Sequence, residues 1–198
     1  MYPKEESTYT QTIEKSKFIT YLKPCFSEDE YKEYLKTIKK KHYDASHVCS
    51  AFLSDSIERS NDDGEPSGTA GVPMMNALKK NGINNAVALV VRYFGGIKLG
   101  AGGLIRAYGS SVSECIKISH FVDDINYNKY ELKLSYELAN KINYLLSKEA
   151  VNLVTDYDEE VTFTFLTNDN MLIDKIIEIT SGIKPKLIGE EKVKVDIL

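Results

Sequence analysis

The chain reads as an α+β protein of two domains, and three observations in the sequence predict this. The first is a strand–loop–helix unit at residues 84–109, NNAVALVVRYFGGIKLGAGGLIRAYG. The second is a run of hairpin, helix and strand signals ahead of it. The third is a change of pattern near residue 125, after which strand and helix periodicities follow in the order βαββαβ, the ferredoxin-like arrangement. The domains are placed at residues 1–125 and 126–198, and 198 residues suffice for two small cores.

Residues 7–25 form the first hairpin: STYTQTIE alternates, Lys15-Ser16-Lys17 turns, and FITYL continues as strand. Ser27 opens a helix, with Glu30 placed to complete a capping box. Tyr31, Tyr34, Leu35 and Ile38 then share one helical face, and Lys39, Lys40 and Lys41 close the last turn, where cations suit the helix dipole. His47 to Leu53 is a short strand. Ser54 to Gly71 is polar and turn-rich, with Asp63-Gly64 its strongest turn signal, and is expected as a long loop. Val72 to Lys80 resumes as helix, with Pro73 in its first turn and Asn81-Gly82 at its end. Ala86 to Val91 is an apolar run of the kind that forms a strand buried on both faces. The helix after the glycine loop runs to about His120.

Residues 121–129 read as a linker or a shared strand. In the second domain, strands are expected at Tyr130–Tyr136, Val151–Thr155, Val161–Phe165 and Val193–Ile197. Helices fall on Leu138, Ile142, Leu145 and Leu146, and on Asp169 to Thr180. Residues 126–198 hold nine Lys against thirteen Asp and Glu, a net −4, with no histidine, and suit contact with a protein partner.

The glycine loop carries the candidate site. Gly95, Gly96, Gly100, Gly102 and Gly103 fall between a buried strand and a helix. Glycine allows close approach of a ligand to the backbone, and the first N–H groups of a helix are unpaired and partly positive. The junction is therefore either an anion cradle or a set of tight turns. It is neither a Walker A loop nor a clean G-x-G-x-x-G. Charge favours the cradle. Pro66 to Ser113 contains no Asp or Glu but holds Lys79, Lys80, Arg92, Lys98 and Arg106, a local +5 in a chain of net −4. Arg92, Lys98 and Arg106 are the candidate phosphate contacts, and Tyr93, Phe94 and Tyr108 the candidate stacking faces for bases. The competing reading pairs the arginines with Asp62, Asp63 or Glu65 and buries the aromatics. His47, Asp63, Glu65 and Thr69 are accessory candidates. His47 and Cys49 share a strand face, but a structural His beside a buried thiol is the preferred reading. Three acids in one loop do not define a metal site, so no metal and no cofactor is expected.

These residues also carry a resemblance. VVRYFGGIKLGAGGLIRAYG, SHVCSAF at 46–52 and DDGEPSGTAGVP at 62–73 resemble the IMPACT/YigZ family, and chiefly its bacterial YigZ-like members. The resemblance implies a first domain with the fold of domain 2 of ribosomal protein S5, an α/β sandwich. It implies a second, ferredoxin-like domain similar to one in elongation factor G. Eukaryotic relatives regulate translation initiation through protein contacts.

Composition limits the remaining possibilities. No apolar run approaches transmembrane length, and MYPKEESTYTQ lacks an apolar signal region, so a cytoplasmic protein with no membrane contact is expected. Cys25, Cys49 and Cys115 suit buried free thiols. The leading expectation is a translation-associated binding protein that meets RNA or the ribosome through the 92–106 loop. A nucleotide-binding enzyme, a phosphotransferase or hydrolase, is a second reading, and a regulator acting through protein contact alone is a third.

Overall fold

The structure, a computed structural model, describes residues 1–197. The fold is mixed α+β, and its residues gather into two compact units: Met1–Asp123 with Asp196 and Ile197, and Asp124–Val195.

The first unit begins with β1 (Tyr2–Pro3), β2 (Ser7–Ile13) and β3 (Ser16–Pro24). Ile13 pairs with Ser16, so the hairpin turns at Glu14 and Lys15, whose φ values of 46° and 63° are those of a primed two-residue turn. The turn expected at 15–17 lies slightly earlier, because no Asn-Gly marks it and alternation alone does not set turn length. The helix α1 (Glu28–Lys41) starts with the Ser27 half of the expected capping box, while the Glu30 side chain reaches one residue further back, to Phe26. The Glu30 N–H donates to Ser27 Oγ at 3.2 Å, and the Phe26 N–H donates to Glu30 Oε2 at 2.8 Å. Next come β4 (His47–Leu53), β5 (Glu58–Asn61), α2 (Gly71–Lys80), β6 (Ala86–Tyr93) and α3 (Gly100–Lys117). The stretch expected as uninterrupted loop thus contains a short edge strand, β5, with no apolar residue to announce it.

The strands form one antiparallel sheet in the order β2-β3-β6-β4-β5. On one face Ala86, Ala88 and Val90 of β6 pack with Met74 and Leu78 of α2 and with Leu104, Tyr108 and Val112 of α3. On the other, Val87, Leu89 and Val91 pack with Tyr31 and Ile38 of α1. Helices on both faces explain why β6 is apolar at every position up to Arg92. Arg92 continues the face that looks toward α3.

The strand β7 (Phe121–Leu134) passes from the first unit into the second as one continuous element. Phe121 and Val122 pair with β1. There follow α4 (Tyr136–Glu149), β8 (Val151–Tyr157), β9 (Val161–Thr167) and α5 (Asn170–Ile179) of the second unit, and β10 (Lys186–Ile197), which belongs to that unit up to Val195. β9 lies between β7 and β8, and β10 also pairs with β7. Leu132, Leu134, Phe163 and Phe165 meet Ile142 and Leu146 of α4 and Leu172 and Ile176 of α5 in a separate core. Among the described residues, no helix is long and apolar enough to cross a membrane.

Candidate functional site

Three neighbouring strands set the floor of the site. Arg92 lies opposite Phe18 of β3 and opposite His47 of β4, so these three side chains form a row on the α3 side of the sheet. Glu65 is brought onto this row by the loop after β5. Asp62 builds that loop: its Oδ1 accepts the N–H groups of Ala70 and Gly71 at 3.0 and 2.8 Å, and its Oδ2 accepts that of Gly68 at 2.8 Å. α2 has no capping side chain at its adjacent N-cap, Ala70, so Asp62 serves as a remote cap. Burial opposes the Asp62 charge, but the three N–H donors outweigh it and hold the carboxyl below its ordinary 3.8. Thr69, also buried, tightens the loop by donating to the Pro66 carbonyl at 2.6 Å.

Arg92 is 5% exposed, and its Nη1 meets Glu65 Oε1 at 2.6 Å. Its Nη2 donates to Ser16 Oγ at 3.4 Å, and that oxygen also accepts the Gly95 N–H at 3.2 Å. The guanidinium lies over the rings of Phe18 and Phe94, at 5.5 and 5.4 Å from their centroids. Its Nε is buried without a hydrogen-bond partner among the described residues. Tyr108 donates to Glu65 Oε1 at 2.7 Å. Arg92 is therefore a buried, paired cation and not a surface phosphate contact. A buried guanidinium tolerates desolvation only beside a carboxylate, and Glu65 supplies it.

The aromatics separate in the same way. Tyr108 is fully buried and offers no stacking face; burial pushes its hydroxyl pKa far up. Tyr93 points to the other face of the sheet, where its hydroxyl meets His42 Nδ1 at 2.8 Å. Phe94 alone of the three is open, at 49% exposure. Asp63 is occupied at both oxygens, accepting Val48 N–H at 2.7 Å and Lys39 Nζ at 2.6 Å. Cys49 donates to the Asp62 carbonyl at 3.0 Å, and burial pushes its thiol up to about 12, so it is no nucleophile at neutral pH. Among the described residues no His, Cys, Asp and Glu cluster is placed to hold a metal.

The glycine loop closes the site from above. A Cβ at Gly95 would overlap the backbone of Lys15, so this glycine permits a close crossing of two chain segments. Gly96 and Gly100 take φ of 87° and 67°, which turn the chain into α3. No side chain caps α3, and its first turn has no acid, so the first N–H groups keep their partial positive charge. Gly100 and Ala101 line a cavity of about 390 Å³ with His47, Glu65, Arg92, Phe94, Lys98 and Leu104. Lys98 and Leu99 also line an adjoining hollow of about 720 Å³, with Gly103 and Arg106 on its wall. Lys98 and Arg106 are both exposed. The structure thus brings Lys98, Arg106, Gly100, Gly103 and Phe94 to two hollows that share a wall, and places Arg92 beneath them. Sequence reasoning did not find the role of Ser16, which only strand pairing brings to Gly95 and Arg92.

Residues 14–116 match the family model of the Impact N-terminal domain, slightly more than half of the chain. The chain belongs to the IMPACT family. An IMPACT family member from Bacillus subtilis, YvyE, is 42% identical over 186 residues, 90% of this chain and 86% of that protein. The IMPACT family member YigZ of Escherichia coli is 35% identical over 153 residues, 75% of each chain. A solved structure described as that of a hypothetical protein overlays with TM-score 0.60 at 30% identity, covering 95% of this chain and 96% of the other. The His47–Glu65–Arg92–Tyr108 network and the glycine loop all lie inside the IMPACT match.

Proposed function

We propose that this IMPACT protein is a translation-associated binding protein whose first unit, an S5 domain 2-like sandwich, takes single-stranded RNA at the glycine loop. The observation that carries the reading is the pair of hollows joined at Lys98 and Leu99. One is edged by the uncapped start of α3 and the open ring of Phe94, the other by Arg106. Helix N–H groups and Lys98 suit a phosphate, and Phe94 suits a stacked base. Glu65, the one acid among the described residues lining the first hollow, is paired with Arg92. The second hollow is also lined by Glu14, so it is the less favourable of the two for an anion. The second unit, read as ferredoxin-like, carries the acidic balance and suits a protein partner. The translational context rests on the family resemblance and on fold analogy.

Anisotropy of a labelled single-stranded RNA across a salt series tests this. Affinity is expected to fall with salt, and Lys98→Glu/Arg106→Glu is expected to abolish binding while leaving the melting temperature unchanged. Phe94→Ala is expected to lose about 1–3 kcal/mol of binding. RNA binding that is insensitive to all three substitutions would move the site elsewhere.

A further inference from the structure

The cavity at the start of α3 contains one acid–base group that the binding reading leaves unused. His47 Nδ1 lies 2.8 Å from the Asp63 carbonyl, which can only accept, so Nδ1 carries the proton. In the neutral ring Nε2 is then a bare lone pair. It lies 3.9 Å from Glu65 Oε1, beyond hydrogen-bond length and close enough for a carboxylate to stabilise an imidazolium. Glu65 cannot swing away, because Arg92 and Tyr108 both hold the same oxygen. The His47 side chain is 25% exposed and lines the cavity together with Lys98 and the first residues of α3. The neighbouring groups are already engaged: Glu65 accepts two strong bonds, Cys49 is buried and donates to a carbonyl, and Arg92 is paired.

We infer that His47 is the general base of a metal-independent RNA cleavage at this cavity, an inference that rests on the RNA reading above. Nε2 takes the proton of a ribose 2′-hydroxyl. O2′ forms a bond to the adjacent phosphorus, and the bond from phosphorus to the 5′ oxygen of the next nucleotide breaks. The departing oxygen takes a proton from water and leaves as a 5′-hydroxyl, while the imidazolium returns its proton to the solvent. The other product is a 2′,3′-cyclic phosphate. Lys98 and the α3 N–H groups stabilise the charge that develops on the phosphate, and Glu65 stabilises the imidazolium and so acts as a positioning residue. No oxidant, metal or co-reactant other than water enters the balance.

The test uses the full chain, a short single-stranded RNA with a 5′ label, and the same sequence with every 2′-hydroxyl methylated, in the presence of a chelator. Both oligonucleotides are expected to bind equally. Only the unmethylated RNA is expected to be cut, giving labelled fragments that end in a 2′,3′-cyclic phosphate. His47→Gln is expected to keep RNA affinity and melting temperature and to lose about a hundredfold or more in cleavage rate. Glu65→Gln is expected to cut more slowly than wild type with RNA affinity kept. RNA that binds and stays intact overturns the cleavage step while the binding site stands. Cleavage undiminished in His47→Gln, or fragments ending in a 3′-hydroxyl, overturn it as well. Absence of binding by either oligonucleotide overturns both readings together.

Discussion

Arg92 shows how one residue can look like a ligand contact and serve as structure. Its charge is 5% exposed, and one carboxylate, one hydroxyl and two aromatic rings surround it. Removing it leaves the buried Glu65 unpaired, so Arg92→Ala is expected to cost about 3–5 kcal/mol, read by urea denaturation. Lys98→Ala touches no such pair and is expected to stay within about 0.5 kcal/mol. A similar denaturation midpoint for the two variants would refute the assignment. The segment 62–73 could be recognised as unusual from its residues, yet the pairing of Glu65 with Arg92 spans 27 positions and depends on which loop folds over which strand. Tyr108 was legible as part of a helix face, but its complete burial was not: an aromatic beside a glycine loop has the same composition whether it stacks on a base or packs edge-on against Phe18.

The connecting elements around the site are held by exact backbone needs. Asp62 satisfies three N–H groups at the start of α2, and Asp62→Ala is expected to cost about 2 kcal/mol. Its carboxyl titrates below 3.8 in the fold, so its contribution is complete above that value and is lost as pH falls through the lower, folded-state value. The stability difference between wild type and Asp62→Asn should therefore narrow below about pH 4; a difference that stays constant to lower pH would mean the charge is not what holds the loop. Gly95 and Gly96 differ in kind. A methyl at Gly95 collides with the Lys15 backbone, and Gly95→Ala is expected to cost more than about 3 kcal/mol. Gly96 has open space but a φ of 87°, so Gly96→Ala is expected to cost about 1 kcal/mol. Thermal melts of the two variants check the order. The run of glycines marked a tight junction in the sequence; which one faces a neighbouring chain segment depended on the β2–β3 turn meeting it.

For the whole molecule, charge is the property that reports on partners. A net −4 places the cations of residues 66–113 in an acidic surrounding, and Arg92 and Lys79 are already paired with Glu65 and Glu58. Duplex DNA is therefore expected to bind at least tenfold more weakly than single-stranded RNA at about 0.15 M salt, since only a few free cations meet it and no base is open to Phe94. Equal affinity in a competition titration would sink the single-strand reading. The sequence by itself determined the α+β class, the order of the helices and of the longer strands, the shift of pattern in the second half and the family, because periodicity, turn chemistry and contiguous motifs are local; the short strands β1 and β5 carry no such pattern. It also located the glycine junction and its basic character. Only the tertiary structure decided which charges remain for a ligand. Three strands and a loop distant in sequence converge on Arg92, and a desolvated charge takes whichever carboxylate folding brings to it.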